Sequence, residues 1–267
     1  MADARARSGR AVALTFDIDP DELFHPDRLR KLMSNEARLA VLAETGVDHI
    51  VVLRFTREFG AHGPEAFLDE TFGPSVPATL HVGCDFRFGA RAAGTLVDLA
   101  VWGERTGMGV VGHELKTADG DPITATRIRL LLAACRLDEA RELLGRPYRL
   151  AGTVRPGRGE GRDMGFRTAN LIVAPALQVL GEGVYAAWAE VDGARYKAAV
   201  SVGVSPMFAD RTEAFCEVHL LDFEGDLYGR QIAIDFEELL RPMMAFDSVE
   251  ELIATVTADI ERVRTDL

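Results

Sequence analysis

The chain has 267 residues, of which 48% are hydrophobic, and this is enough to bury one large core or two modest ones. Its formal net charge is −12 at pH 7. Such an acidic balance argues against a nucleic-acid partner, because phosphate contacts along nucleic acid need clustered lysine and arginine. It leaves room for a small phosphate ligand in a local basic pocket.

The three cysteines predict no metal site and no disulfide framework. Cys84, Cys135 and Cys216 lack metal-ligand spacing, and their number is odd. The arginines near the N-terminus are not followed by an apolar segment, so no signal peptide is expected. No apolar run approaches the roughly 20 residues that span a membrane. We therefore expect a cytoplasmic protein with reduced thiols and no membrane partner.

Residues 11–144 alternate short apolar runs with helical patterns. The predicted strands are Ala11–Phe16, His49–Phe55, Thr79–Val82 and Gly109–His113. The predicted helices are Arg28–Glu44, Pro64–Glu70, Gly94–Arg105 and Thr126–Leu144. Alternation of this kind predicts an α/β domain in which helices cover a parallel sheet.

The pattern changes near Gly145, and strands then follow one another closely. Val184–Val191 and Tyr196–Val202 flank Asp192-Gly193, a strong hairpin signal. Phe215–Asp222 and Gln231–Phe236 flank a longer turn. Closely spaced strands predict an antiparallel barrel or sandwich. We therefore place a domain boundary between residues 144 and 145.

One amphipathic helix is predicted to close the chain. Ser248 and Glu251 have the spacing of a capping box. The apolar stripe consists of Leu252, Ile253, Val256, Ile260 and Val263.

A glycine-rich segment between the two patterns carries the strongest chemical signal. Its glycines could bring backbone N–H groups close to phosphate oxygens, and they are Gly157, Gly159, Gly161 and Gly165. Positive charge comes from Arg155, Arg158, Arg162 and Arg167. Thr168 and Asn170 supply a hydroxyl and an amide, which suit Mg²⁺ or a phosphate. A glycine-rich surface loop uses the same residue types, so composition alone leaves both interpretations open.

The segment Gly165-Phe166-Arg167-Thr168-Ala169-Asn170 resembles the Gly-Phe-Pro-Thr-Ala-Asn motif of the bifunctional riboflavin kinase/FAD synthetase family. Later landmarks of that family match in order, at Phe215–Leu220, Asp226–Gly229 and Leu239–Ser248. The resemblance implies a nucleotidyltransferase-like Rossmann domain in residues 1–144. It implies a riboflavin kinase domain, an antiparallel β-barrel with a terminal helix, in residues 145–267.

The resemblance also implies roles for individual residues. Glu217 would be the general base that takes the proton of the flavin 5′-hydroxyl. Thr168 and Asn170 would bind Mg²⁺ together with ATP. The remaining residues expected to bind ATP/ADP or riboflavin/FMN are Gly157, Gly159, Gly161, Arg162, Gly165, Arg167, Tyr228, Arg241 and Phe246.

Arg167 departs from the family motif, which has proline at this position. Proline fixes φ and lacks an N–H donor, whereas arginine adds a mobile cation. Arg167 is therefore expected to face the nucleotide phosphates, because burying an unpaired guanidinium would be costly. The alternatives are that Arg167 disturbs the Mg²⁺ geometry or that it marks a change of substrate.

The first half shares further elements with the family, in which it transfers AMP to FMN. Val82–Gly89 resembles the Gly-x-Asp-Phe-Arg-Phe-Gly element, and Thr124–Arg129 resembles a helix start suited to phosphate. The family's first strand and its His-x-Gly-His segment have no counterpart, and Thr15–Pro20 departs from Thr-Phe-Glu-Pro-His-Pro. We therefore expect this half to have no evident way to carry out adenylyl transfer. Two explanations compete: the protein is naturally reduced to a kinase with a scaffold domain, or the start is misassigned and the true protein is longer.

Two further expectations follow from this reading. Loss of a strand should leave an unpaired sheet edge, over which a homodimer could form. The alternatives to a riboflavin kinase are a kinase for a flavin analogue in specialised metabolism and a non-catalytic protein that binds flavin or nucleotide.

Overall fold

The computed structural model describes residues 2–26, 28, 30–156, 166–203 and 215–267. These residues form two compact units. The first comprises residues 1–29 and 33–123, and the second comprises residues 30–32 and 124–267. By packing, residues 124–144 thus belong with the barrel that follows them.

The first unit is built on parallel strands, as predicted. They are β1 (Val12–Phe16), β2 (His49–Leu53), β3 (Thr79–Gly83) and β4 (Gly109–His113). Strand β1 pairs in parallel with β2, and β3 pairs in parallel with β4. Within the described residues these two pairs are separate two-stranded sheets. A small hairpin of β5 (Thr117–Ala118) and β6 (Asp121–Pro122) follows.

Helices and an aromatic cluster surround these strands. The helices are α1 (Ala2–Ser8), α2 (Pro20–Phe24), α3 (Asn35–Glu44), α4 (Arg57–Gly60), α5 (Pro64–Phe72) and α6 (Leu96–Thr106). The cluster is centred on Phe55, Phe59, Phe67, Phe88 and Trp102. Edge-to-face contacts between such rings stabilise a core beyond the burial of their area.

The prediction of a helix over Arg28–Glu44 is wrong at its start. Helix α3 begins at Asn35, where the Ser34 hydroxyl accepts a hydrogen bond from the Ala37 N–H at 3.1 Å. Upstream, the Lys31 N–H donates to the Ala176 carbonyl at 2.6 Å, in a β-bridge that belongs to the second unit. Because this bridge uses backbone groups that a helix would need, residue 31 cannot be helical.

The predicted helix Thr126–Leu144 is two helices, α7 (Ala125–Ala133) and α8 (Leu137–Leu144). Cys135, between them, has a φ of 60°, which breaks the helical path. The Tyr185 hydroxyl and the Cys135 sulfur are hydrogen-bonded at 3.1 Å, so a tertiary contact holds the bend. The apolar spacing continues across it, and the sequence alone therefore suggests one helix.

The second unit is a closed antiparallel barrel of six strands, which confirms the predicted fold class. The strands are β7 (Tyr148–Arg155), β8 (Ala169–Val173), β9 (Gly183–Val191), β10 (Ala194–Gly203), β11 (Phe215–Leu220) and β12 (Gln231–Arg241). Their order around the barrel is β10-β11-β8-β7-β12-β9. Asp192 and Gly193 both have positive φ, at 49° and 82°, as the predicted two-residue hairpin turn requires.

Helix α9 (Val249–Asp266) covers one side of the barrel, where Ile260 and Val263 pack against Ala186 and Leu221. Its predicted capping box is half formed. The Ser248 hydroxyl accepts from the Glu251 N–H at 3.1 Å, but the Glu251 carboxylate accepts from Asp247 rather than from Ser248. Among the described residues, no helix has the length and apolar character needed to cross a membrane.

Candidate active site

Four polar side chains form a row across adjacent strands of the barrel. Glu217 on β11 is directly opposite Asn170 on β8 and also opposite Ser201 on β10. Asn170 is in turn opposite Arg155 on β7. Residues that face one another in this way have Cβ atoms about 4.5–5.5 Å apart. The row Ser201–Glu217–Asn170–Arg155 therefore brings a hydroxyl, a carboxylate, an amide and a guanidinium together.

This row lies on the outer face of the barrel. Side chains alternate between the two faces of a strand. Cys216 and Val218 flank Glu217 and are buried, as are Ala169 and Leu171 beside Asn170. Glu217 and Asn170 are half-buried, and Arg155 is exposed. The apolar neighbours thus fill the barrel interior, and the polar row lies on the opposite, outer face.

His219 joins the row to the segment that precedes β8. Its Nδ1 lies 2.9 Å from the Arg167 carbonyl oxygen. A carbonyl can only accept, so Nδ1 carries the proton and donates it. The Phe166 ring meets the His219 ring edge-on at 6.3 Å between centroids. These two contacts fix the backbone on which Arg167 and Thr168 are carried, and both of those residues are exposed.

The turn that contains Tyr228 is tied to β7 next to the row. The Gly229 N–H donates to the Val154 carbonyl at 2.9 Å, and the Asp226 carboxylate accepts from the Tyr228 N–H at 2.9 Å. Tyr228 itself is 59% exposed. A large exposed ring held on a fixed turn provides a surface on which a planar ligand can stack.

Arg241 and Phe246 form a separate group. Arg241 makes a half-buried ion pair with Asp259 at 2.9 Å, and its guanidinium lies 5.6 Å from the centre of the Phe246 ring. Burial raises the pKa of Asp259, and the nearby Arg241 opposes that rise. Three strand spacings separate Arg241 from Glu217, roughly 14 Å along the sheet. The structure therefore does not bring this pair into contact with the polar row.

The structure brings some of the predicted site residues together, and others lie outside its described part. It brings Glu217 and Asn170 together, with Thr168 and Arg167 on the adjoining segment. The residues Gly157, Gly159, Gly161, Arg162 and Gly165 lie outside the described part of the chain. Sequence reasoning missed Ser201, because only the pairing of β10 with β11 reveals it. His219 could have been predicted from the sequence, because side chains alternate along a strand and residues 217 and 219 therefore lie on the same face.

The barrel interior next to Glu217 is strongly apolar. Burial, followed by the charge of Glu217, raises the pKa of the Cys216 thiol to about 12. Cys216 is thus a neutral packing residue at neutral pH. The group of this region that can accept a proton is therefore the Glu217 carboxylate on the outer face. The neutral oxygens of Asn170 and Ser201 beside it can act as metal ligands or hydrogen-bond acceptors.

Two carboxylates, those of Asp17 and Asp19, bind backbone N–H groups at the carboxyl end of β1. Asp17 accepts from the N–H groups of Phe55 and Ile18, at 2.8 and 2.9 Å. Asp19 caps α2, and Glu22 reciprocates in a capping box. Ligands of open α/β sheets bind at the carboxyl ends of the strands, so this edge presents negative charge where a phosphate would approach.

The chain thus combines an α/β unit of parallel strands with a closed six-stranded barrel that carries this polar row, an architecture of two different domain types. Residues 144–267 match the family model described as riboflavin kinase, and residues 1–127 match the one described as FAD synthetase. The chain belongs to the bifunctional riboflavin kinase/FMN adenylyltransferase family. A domain of the FAD synthetase type is therefore present, and the expected loss of adenylyl transfer stays a prediction.

The relatives span nearly the whole chain. The bifunctional riboflavin kinase/FMN adenylyltransferase of Listeria monocytogenes is 34% identical over 96% of this chain and 82% of its own length. The protein of the same name from Pseudomonas fluorescens is 33% identical over 95% and 82%. A crystal structure described as a macrolide-efflux protein from Streptococcus pneumoniae has a TM-score of 0.85 at 28% identity, covering 99% of this chain and 86% of that one.

Proposed function

We propose that this protein transfers the γ-phosphate of ATP to the 5′-hydroxyl of riboflavin and releases FMN and ADP. The observation that carries the proposal is the direct pairing of Glu217 with Asn170 on the outer face of the barrel. A base and an oxygen ligand held side by side are what phosphoryl transfer to an alcohol requires.

Each residue of the site has a task in this reaction. Glu217 accepts the proton of the 5′-hydroxyl as the oxygen attacks the γ-phosphorus. The bond between that phosphorus and the bridging oxygen breaks, and ADP leaves with the electron pair. Arg155, which is exposed, supplies positive charge toward the phosphates. Ser201, on the other side of Glu217, is positioned to orient the carboxylate by a hydrogen bond.

Magnesium fits this donor set. It prefers oxygen ligands and usually binds through few protein groups together with substrate phosphates. Thr168 and Asn170 offer a hydroxyl and an amide oxygen next to a carboxylate, so these two residues would hold the ion. When bound with ATP, it neutralises charge on the transferred group.

We further propose that adenylyl transfer to FMN is absent or very slow. The 267 residues contain no His-x-Gly-His, the segment to which the family resemblance assigns binding of the ATP phosphates. The carboxylates of Asp17 and Asp19 at the end of β1 would also repel a phosphate group. We also propose that a homodimer forms over a strand edge that has no partner among the described residues, such as that of β1 or β3. Sedimentation at several concentrations would test this.

The decisive experiment is incubation of the protein with ATP, Mg²⁺ and riboflavin, followed by chromatographic separation of the flavins. We expect FMN to accumulate without FAD. Efficient conversion of FMN to FAD would refute the second proposal and leave the first intact. Riboflavin binding without any product would identify a non-catalytic binder, and faster turnover of a flavin analogue would identify a changed substrate.

A further inference from the structure

We infer that Asp3, His81 and His113 form a binding site for a divalent transition-metal ion such as Zn²⁺ in the first domain. One ligand atom from each of these residues lies within 4.8 Å of the other two. The site is separate from the magnesium-binding residues proposed above, which belong to the barrel. It involves no residue to which phosphoryl transfer has been assigned.

The strand register explains why the two histidines meet. In the parallel pair of β3 and β4, His81 is opposite Val111 and Gly83 is opposite His113. His81 and His113 are therefore on the same face of the pair, offset by two residues, and diagonal neighbours at that offset are within reach of long side chains. Their rings stack at 5.2 Å between centroids, with an angle of 21° between planes.

The distances suit a tetrahedral ion. The His81 Nδ1 and His113 Nε2 atoms are 2.9 Å apart, and His81 Nδ1 is 3.7 Å from an Asp3 carboxylate oxygen. Ligand atoms at the usual 2.0–2.1 Å from Zn²⁺ in a tetrahedron are roughly 3.3 Å from one another. These two separations bracket that value, and the third, between Asp3 and His113, is within 4.8 Å, so side-chain rotations would complete the coordination.

The donor types select the metal. Two imidazole nitrogens and one carboxylate oxygen favour zinc and its borderline neighbours over Mg²⁺ or Ca²⁺, which prefer all-oxygen sets. Three protein ligands leave the fourth tetrahedral position to water or to an anionic oxygen. The net charge of the protein, −12, also attracts cations.

The test is calorimetric titration of the full chain with Zn²⁺, repeated with Co²⁺, whose visible spectrum reports tetrahedral coordination. We expect one strongly bound ion per chain. His113→Asn and Asp3→Asn change exposed residues and should therefore leave the fold intact. We expect His113→Asn to weaken Zn²⁺ binding by at least about 100-fold. Loss of a residue that only supports a metal ligand costs up to about 100-fold in affinity, and loss of a ligand itself should cost at least as much.

The matched control is His62→Asn. His62 also lies beside a carboxylate, with its Nδ1 3.0 Å from Glu70, but it is not part of a cluster of three possible ligands among the described residues. This variant should bind Zn²⁺ as the wild type does. Equal affinity in His113→Asn and wild type would overturn the proposal. So would a loss of binding in Cys84→Ser with His113→Asn unaffected, because the ion would then belong to a thiolate site.

Discussion

Glu217 and Asn170 are direct partners across the ladder of β11 and β8, and both side chains lie on the outer face of the barrel. The backbone hydrogen bonds of the sheet set their separation, so the geometry of the site depends on strand pairing rather than on a flexible loop. Substitutions that keep the strands intact should therefore change chemistry without changing fold.

Glu217→Gln should abolish most turnover while preserving riboflavin binding. Glutamine keeps the size and hydrogen bonding of the side chain but cannot accept the proton, and general-base help is typically worth about 10² to 10⁴ in rate. We expect kcat and kcat/KM to fall together, and flavin fluorescence quenching to give an unchanged Kd. Glu224→Gln, in the exposed turn after β11, is the control. Wild-type turnover in Glu217→Gln would show that the proton leaves to another acceptor.

His219→Ala should raise the KM for ATP several-fold and affect kcat less. The lost group is the Nδ1 donor that holds the Arg167 carbonyl, so the segment carrying Thr168 would be released. His219→Asn places an amide donor near the Nδ1 position and should restore most of the affinity. If alanine and asparagine were equally damaging, the ring itself, through its contact with Phe166, would be the important feature.

Arg167→Pro should retain turnover. Proline keeps the backbone carbonyl that His219 uses, and the arginine side chain is exposed, so no packing is lost. Steady-state kinetics with ATP as the varied substrate would measure the effect, with Arg167→Ala separating loss of charge from the restraint on φ. A collapse of activity in both variants would mean that the guanidinium has acquired a role of its own at the phosphates.

Cys216 should resist thiol reagents under native conditions, whereas Cys84 and Cys135 should react. Burial raises the pKa of the Cys216 thiol to about 12, so almost none of it is thiolate at neutral pH, and no reagent can reach it without opening of the barrel. Mass spectrometry after timed alkylation would distinguish the three. Rapid labelling of Cys216 would imply that the strand carrying Glu217 opens frequently.

Local signals were sufficient for some elements and failed at others. The Asp192-Gly193 hairpin was predictable because those residues tolerate the positive φ of the turn. The bend at Cys135 was not, because a tertiary contact from Tyr185 holds a conformation that the apolar spacing does not reveal. The pairing of Glu217 with Asn170 could not be predicted from local signals, because it depends on the register of strands that are far apart in sequence. Resemblance to a family had nevertheless indicated both residues.

The closure of the barrel has a consequence for the order of events during synthesis. Strand β12 pairs with β7, so that Phe236 lies opposite Tyr148, and it also pairs with β9. A nascent chain that ends before β12 already contains Glu217, Asn170 and Thr168, yet two strand edges remain open. Contacts between strands so distant in sequence form only after the intervening chain has been ordered. The polar row should therefore become rigid only when the last strand emerges, and until then the open edges are the part of the chain most exposed to aggregation.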